Sequence, residues 1–62
     1  MKLEDLRELD RELITFEQFE EIEEMEGVIT QNNGLSGQYI GYNWYTIYYE
    51  DDNIKEEFNV FL

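Results

Sequence analysis

The sequence predicts an α+β fold, with two N-terminal helices packed on a small antiparallel β-meander (ααβββ). Apolar residues recur at helical spacing through residues 3–25, and the pattern changes after Gly27 to β-branched and aromatic residues. At 62 residues the chain is long enough for one modest hydrophobic core. We therefore expect residues 1–62 to form a single small acidic α+β domain.

The first helix is predicted by one apolar stripe. Its members lie three or four positions apart, as one face of a helix requires: Leu3, Leu6, Leu9 and Leu13. On the polar side we expect charged pairs within the helix, Glu4 with Arg7 and Glu8 with Arg11 or Glu12.

The second helix is predicted to begin after Thr15. The Thr15 hydroxyl can cap its first turn, Gln18 stands at the capping-box position, and Ile14 and Phe19 are spaced as a hydrophobic staple. We expect the helix to run from residue 16 to about residue 26, with an apolar stripe of Phe16, Phe19, Ile22 and Met25. One continuous helix over residues 3–26 is the alternative, which the β-branched pair at positions 14 and 15 disfavours.

Gly27 is expected to end the second helix as its C′ residue. Three strands should follow, separated by connections rich in Asn, Gly and Asp. The strands are predicted from Val28 to Thr30, from Tyr39 to Tyr49 and from Ile54 to Leu62, with Asn32-Asn33-Gly34 and Ser36-Gly37 in the first connection and a turn over Glu50–Asn53.

The alternation of residues in the last two strands predicts the two faces of the sheet. A turn at Asp51-Asp52 would pair Tyr49 with Ile54, and a one-residue slip would exchange the faces. The expected core face comprises Tyr45, Ile47, Tyr49, Ile54, Phe58, Val60 and Leu62. The opposite face would carry Tyr42, Trp44, Thr46 and Tyr48 beside Lys55, Glu57, Asn59 and Phe61, with no chain left to cover it.

Charge is the main functional indication in this sequence. Sixteen acidic residues against four basic ones give a net charge of −12, whereas a small domain needs a magnitude of only about 2–8 for solubility. The excess costs stability through self-repulsion. Glutamates three or four apart on a helix lie about 5–6 Å from one another, similar to phosphates along a DNA strand. The predicted partner-binding acidic residues are Glu17, Glu20, Glu21 and Glu24 on the second helix and Glu50, Asp51 and Asp52 at the turn.

Several other functions are excluded by composition. The chain has no Cys and no His, so disulfides, zinc–thiolate sites and imidazole acid–base chemistry are absent. The acids of residues 50–57 lack the spacing and glycine of an EF-hand loop, and turn chemistry accounts for them. Because 62 residues also offer no cleft to hold a substrate, we predict no enzyme activity, no metal and no cofactor. Because the first residues lack an apolar signal segment and residues 27–49 are too polar to span a membrane, we expect a cytoplasmic location and no membrane contact.

Shortness, high negative charge, the glutamate-rich segment Glu17–Glu26 and an aromatic-rich sheet together resemble the small acidic DNA-mimic inhibitor proteins of phages and mobile elements. That class includes antirestriction proteins, inhibitors of uracil-DNA glycosylase and some anti-CRISPR proteins. The resemblance implies a partner that is a basic nucleic-acid-binding protein of the host, inhibited by occupation of its basic channel. It implies no direct binding of nucleic acid.

A second hypothesis starts from the aromatic residues Tyr42, Trp44 and Tyr48, which we call the aromatic face. Tyr and Trp are enriched at interface hot spots, and most acidic helices are simply solvated. The chain would then be a small protein-interaction subunit or a homodimer, including an antitoxin-like role. Stacking of these aromatics on bases would require a basic groove, which the net charge of −12 excludes.

Overall fold

The computed structural model describes all 62 residues as two short helices followed by a three-stranded antiparallel sheet, which confirms the predicted fold. The strands are adjacent in chain order, so that the second strand is central, and the helices pack on one face of the sheet. The elements are α1 (Leu3–Leu9), α2 (Phe16–Glu23), β1 (Val28–Leu35), β2 (Asn43–Asp51) and β3 (Ile54–Phe61).

Helix α1 is shorter than the leucine stripe predicted. Asp10 leaves the helical conformation and Arg11 adopts a positive φ of 68°. Residues 11–14 then run beside β3, and Leu13 forms an isolated parallel bridge with Phe61. Leu6 is buried, but Leu13 is 43% exposed, so its assignment to the stripe was wrong.

Helix α2 begins as predicted. The Thr15 hydroxyl accepts a hydrogen bond from the Gln18 backbone N–H at 3.1 Å, and the Gln18 side chain accepts one from the Thr15 N–H at 2.8 Å. The helix ends at Glu23, with Glu24 as its C-cap, three residues earlier than expected. Phe16 was wrongly placed in the apolar stripe, since it is 66% exposed.

Strand β1 extends further than predicted, because it includes the Asn-Asn-Gly segment that was expected to form a connection. It begins directly after Gly27, whose φ is +80° and whose carbonyl accepts a hydrogen bond from the Glu50 N–H at 2.9 Å. The pairing with β2 is regular from Val28 to Asn32 and becomes irregular before Leu35.

The register of β2 and β3 differs from the prediction by two residues. The tight turn is Asp52-Asn53, so that Asp51 is opposite Ile54 and Tyr49 is opposite Glu56. Asp52 adopts a positive φ of 50°, which a short polar side chain tolerates. A shift of two residues keeps every side chain on its predicted face. Ile54 lies at the strand end and is 43% exposed, so its place in the core was wrong.

The hydrophobic core lies between the helices and the sheet. The Phe19 and Tyr45 rings meet there with centroids 4.7 Å apart. A core of this size supplies only about 3–5 kcal/mol of net stability. Its buried members are Leu6, Ile14, Phe19, Ile22, Ile47, Phe58 and Val60.

The sheet face opposite the helices is less open than predicted. Phe61 is only 8% exposed, and the Tyr39 ring packs on it with centroids 4.8 Å apart. The expectation that no chain covers this face was therefore wrong at Phe61, because the β1–β2 connection folds back over it.

The basic residues do not form the ion pairs predicted within α1. Two nitrogens of the Arg7 guanidinium group, Nε and Nη2, donate hydrogen bonds to the two carboxylate oxygens of Glu56 in β3. Arg7 Nε lies 3.0 Å from Glu56 Oε1. Arg11 forms no ion pair, and the only other pair joins Lys55 to Glu50. Arg7 therefore links α1 to the sheet instead of stabilising its own helix.

This link predicts a specific pH dependence. The hydrogen bond from Arg7 lowers the pKa of Glu56 below its ordinary value of 4.5. Because the folded pKa is the lower one, the contribution of Glu56 is complete above the unfolded pKa and is lost as the pH falls through the folded pKa. We expect Glu56→Gln to lower the free energy of unfolding at neutral pH, with the difference from the wild type shrinking below about pH 4. Urea unfolding of the wild type and the variant, from neutral pH to below about pH 4, measures this difference in the free energy of unfolding. A difference that does not change with pH would contradict the ionic role of Glu56.

Candidate partner-binding surfaces

The four predicted acidic residues of α2 and its C-cap lie together on one exposed face. This acidic quartet, Glu17, Glu20, Glu21 and Glu24, occupies successive i, i+3 and i+4 positions. It lies opposite Phe19 and Ile22, which are buried against the sheet. Neighbouring carboxylate-bearing positions are therefore about 5–6 Å apart, and the quartet extends over roughly 10 Å along the helix axis.

No basic side chain neutralises the acidic quartet. The two ion pairs of the molecule involve Glu56 and Glu50, and neither includes a residue of α2. The last turn of α2 contains no basic residue, and the negative end of the helix dipole adds to the charge of the glutamates of that turn only. The quartet is thus a compact array of solvated negative charges.

The turn acids Glu50, Asp51 and Asp52 are all exposed at the end of the sheet where β2 meets β3. The hydrogen bond between Glu50 and Gly27 brings this end beside the C-terminal end of α2. Two acids that sequence reasoning missed, Glu4 and Glu26, line the same surface depression as Glu50 and Asp51. Glu26 belongs to the glutamate-rich segment Glu17–Glu26, so the sequence offered a signal for it. Glu4 was expected to pair with Arg7 and was therefore not considered as a partner-binding residue.

The turn acids are less strongly charged as a group than the quartet. Lys55 Nζ lies 3.1 Å from Glu50 Oε2 in an exposed ion pair. The Asp51 carboxylate accepts a hydrogen bond from the Tyr49 hydroxyl at 3.4 Å. The pKa of Tyr49 is raised, first by burial and then by the Asp51 charge. The quartet is therefore the stronger part of the acidic surface.

Two members of the aromatic face, Trp44 and Tyr48, are held in place by hydrogen bonds. Tyr42, Trp44 and Tyr48 are 44%, 41% and 41% exposed. Trp44 Nε1 donates to Asn59 Oδ1 at 2.9 Å, and the Tyr48 hydroxyl donates to Gln31 Oε1 at 3.3 Å. Trp44 and Tyr48 lie on the sheet face away from the helices, so one flat partner surface cannot cover both them and the acidic quartet.

No group of three or more acidic side chains is arranged to hold a metal ion. Neither helix is long and apolar enough to cross a lipid bilayer. Comparison of the chain with protein-family models, with curated proteins and with solved structures gives no match.

Proposed function

We propose that this protein is a non-enzymatic inhibitor that binds a nucleic-acid-handling protein of the host by presenting a DNA-like acidic surface. Its targets would be of the kind blocked by antirestriction proteins, anti-CRISPR proteins or inhibitors of DNA-repair enzymes. The observation that supports the proposal best is the acidic quartet, which lies on one exposed helix face with no basic residue paired to it.

The physical basis is substitution of carboxylates for phosphates. A protein that binds DNA presents Lys and Arg toward a phosphate array, and much of its affinity comes from those charges. The quartet offers negative charges at a similar spacing on a rigid helix, while the net charge of −12 repels nucleic acid itself. The proposal requires no cofactor, and it places the protein in the cytoplasm, where such targets meet their nucleic acid.

A capture experiment tests the proposal. The immobilised protein is exposed to host lysate at low salt, and bound proteins are eluted with duplex DNA or with NaCl of equal ionic strength. We expect a basic DNA- or RNA-binding protein to be released by DNA at an ionic strength where NaCl alone leaves it bound. Salt should weaken binding further, because exposed charges are screened over about 8–10 Å. Captured proteins that DNA does not displace would contradict the proposal.

A second candidate function is supported by the exposure of the aromatic face. Three aromatic side chains are more than 40% exposed within one small domain, and Tyr and Trp are the residues most enriched at interface hot spots. On this alternative the chain is an interaction subunit or homodimer, including an antitoxin-like role, and the acids serve solubility.

Sedimentation equilibrium tests the homodimer. If the aromatic face joins two copies, a dimer should form at micromolar concentration and Trp44→Ala should return it to monomer. Phe16→Ala is the matched control, because Phe16 is an exposed aromatic residue on the helix side of the molecule. A wild-type protein that stays monomeric at high concentration would contradict the homodimer.

A further inference from the structure

The two outer edges of the sheet differ. Residues 11–14 cover the edge of β3, where the Ile14 N–H donates to the Phe61 carbonyl at 2.9 Å and the Phe61 N–H donates to the Glu12 carbonyl at 3.1 Å. The edge of β1 has no chain beside it. Exposed edge strands are usually protected by charged residues or proline, but Val28–Leu35 contains neither. The regular part of this edge, residues 28–32, is therefore available for pairing.

The backbone groups that point outward can be assigned from the ladder. Glu50 N–H donates to the Gly27 carbonyl, and hydrogen-bonded pairs alternate along an antiparallel ladder. Ile29 and Gln31 therefore direct their backbone groups toward β2. Three residues direct an N–H and a C=O outward: Val28, Thr30 and Asn32. This regular segment is about 17 Å long, enough for a partner strand of roughly five residues.

One flank of α2 lies over this open edge. The Thr30 hydroxyl donates to Glu23 Oε2 at 3.5 Å, which places Glu23 above β1. Glu20 lies one turn earlier on the same flank, and both glutamates are exposed. Glu21, on the other flank, lies beside Glu8 of α1 instead. A strand added to β1 would thus lie beneath Glu23, with the negative charge of Glu20 one helical turn away on the same flank.

We propose that the edge of β1 binds an extended basic segment of the partner protein as a fourth antiparallel strand. Alternate residues of that segment would carry Lys or Arg toward Glu20 and Glu23. The residues between them would be apolar and would lie beside Ile29, which is 71% exposed on the other face of the sheet. This inference rests on the proposed function, since it takes the partner to be basic, and it names the element through which the partner binds.

Charge argues against a second copy as the occupant. Antiparallel pairing of two β1 edges relates the copies by a two-fold axis perpendicular to the sheet, so both α2 helices would lie on the same face. The glutamates at positions 20 and 23 of each copy would then approach those of the other, with no cation between them. Like charges juxtaposed in an interface strongly disfavour association. A basic segment paired with the same edge would instead bring positive charges near Glu20 and Glu23, and the electrostatic interaction would be attractive.

Capped hexapeptides that alternate lysine with valine test the inference on the wild-type protein. In an antiparallel pair, the residues opposite Thr30 expose their side chains on the same face as Thr30. The lysine amides would therefore pair with β1, and the valine amides would point away from it. N-methylation of the lysine amides removes the N–H groups that would donate hydrogen bonds to β1 but keeps the charge of the peptide. N-methylation of the valine amides is the matched control.

We expect the unmodified peptide to slow hydrogen exchange of the amides of Val28, Thr30 and Asn32. Methylation of the lysine amides should weaken binding by about a hundredfold, since it removes three hydrogen bonds. Methylation of the valine amides should leave binding within about twofold, because those amides make no ladder hydrogen bond. Equal binding of the two methylated peptides, or binding without amide protection, would overturn the inference. A peptide-free dimer that protects the same amides would also overturn it, by making a second copy the occupant.

The outcomes separate this inference from the proposed function. If the peptides do not bind while DNA still displaces a captured target, the strand inference is lost and the inhibitor remains. If the unmodified peptide binds through its lysine amides but no captured protein is displaced by DNA, the inhibitor proposal is lost. The edge of β1 would then remain a site for basic strands.

Discussion

Gly27→Ala is expected to unfold most of the protein at room temperature. The φ of Gly27 is +80°, and a Cβ atom at this position would lie 2.3 Å from the Glu50 carbonyl oxygen. The left-handed conformation alone costs an L-residue about 1–2 kcal/mol. Relief of the overlap would require β1 to move away from β2, because the opposing atom belongs to the backbone. Together these costs approach the roughly 3–5 kcal/mol that so small a core supplies.

Circular dichroism and urea unfolding measure the effect, and two other glycines provide matched controls. Gly34 also has a positive φ, of +92°, but no atom lies within 4 Å of the position of an added Cβ. Gly34→Ala should therefore show the conformational cost without the overlap and remain folded. Gly37→Ala has neither a positive φ nor a close neighbour and should be nearly neutral. Equal losses of stability at positions 27 and 34 would contradict the close approach of β1 to β2.

Reversal of two charges in the acidic quartet should have the largest effect on binding. Glu20→Lys with Glu24→Lys is expected to weaken target binding at least about a thousandfold at low salt, since two attractions become repulsions of several kcal/mol in total. The fold should persist, because both residues are exposed and make no hydrogen bond or ion pair with another side chain. Fluorescence anisotropy with the captured target measures the affinity.

Glu12→Lys with Glu57→Lys is the matched control for this reversal. It changes the net charge by the same amount at exposed positions outside the quartet, one beside the β3 edge and one on the sheet face of Tyr48. The affinity of this control variant for the target should fall by less than about tenfold, because the lower net charge weakens only the long-range electrostatic attraction. Comparable losses for the two double variants would mean that net charge, and not the quartet, determines binding. A greater loss for the control would favour the aromatic face.

Local chemistry made much of the fold predictable. The Thr15–Gln18 capping box depends on residues three positions apart, and the start of α2 was predicted correctly from it. The sheet faces were predicted from the alternation of side chains, which a register error of two residues does not change. The acidic quartet follows from helical periodicity in the same way, because its members are close in sequence.

Several of the wrong predictions concern contacts between residues distant in the chain. Arg7 binds Glu56, 49 positions away, and no pattern within α1 distinguishes that partner from Glu4. Leu13 fits the leucine stripe by spacing, but its backbone bridges to Phe61 of β3 instead. Glu26 and Glu50 share a surface because Gly27 pairs with Glu50, a contact that only the strand register determines.

In the proposed complex, the acidic surface occupies the site where the target binds nucleic acid. The most direct measurement is a titration of the captured target with labelled duplex DNA at low salt and at increasing concentrations of this protein. We expect the apparent Kd for DNA to rise in proportion to the concentration of the wild-type protein and to stay unchanged with the Glu20→Lys, Glu24→Lys variant. A ternary complex in which the target binds the wild-type protein and retains its full affinity for DNA would contradict it.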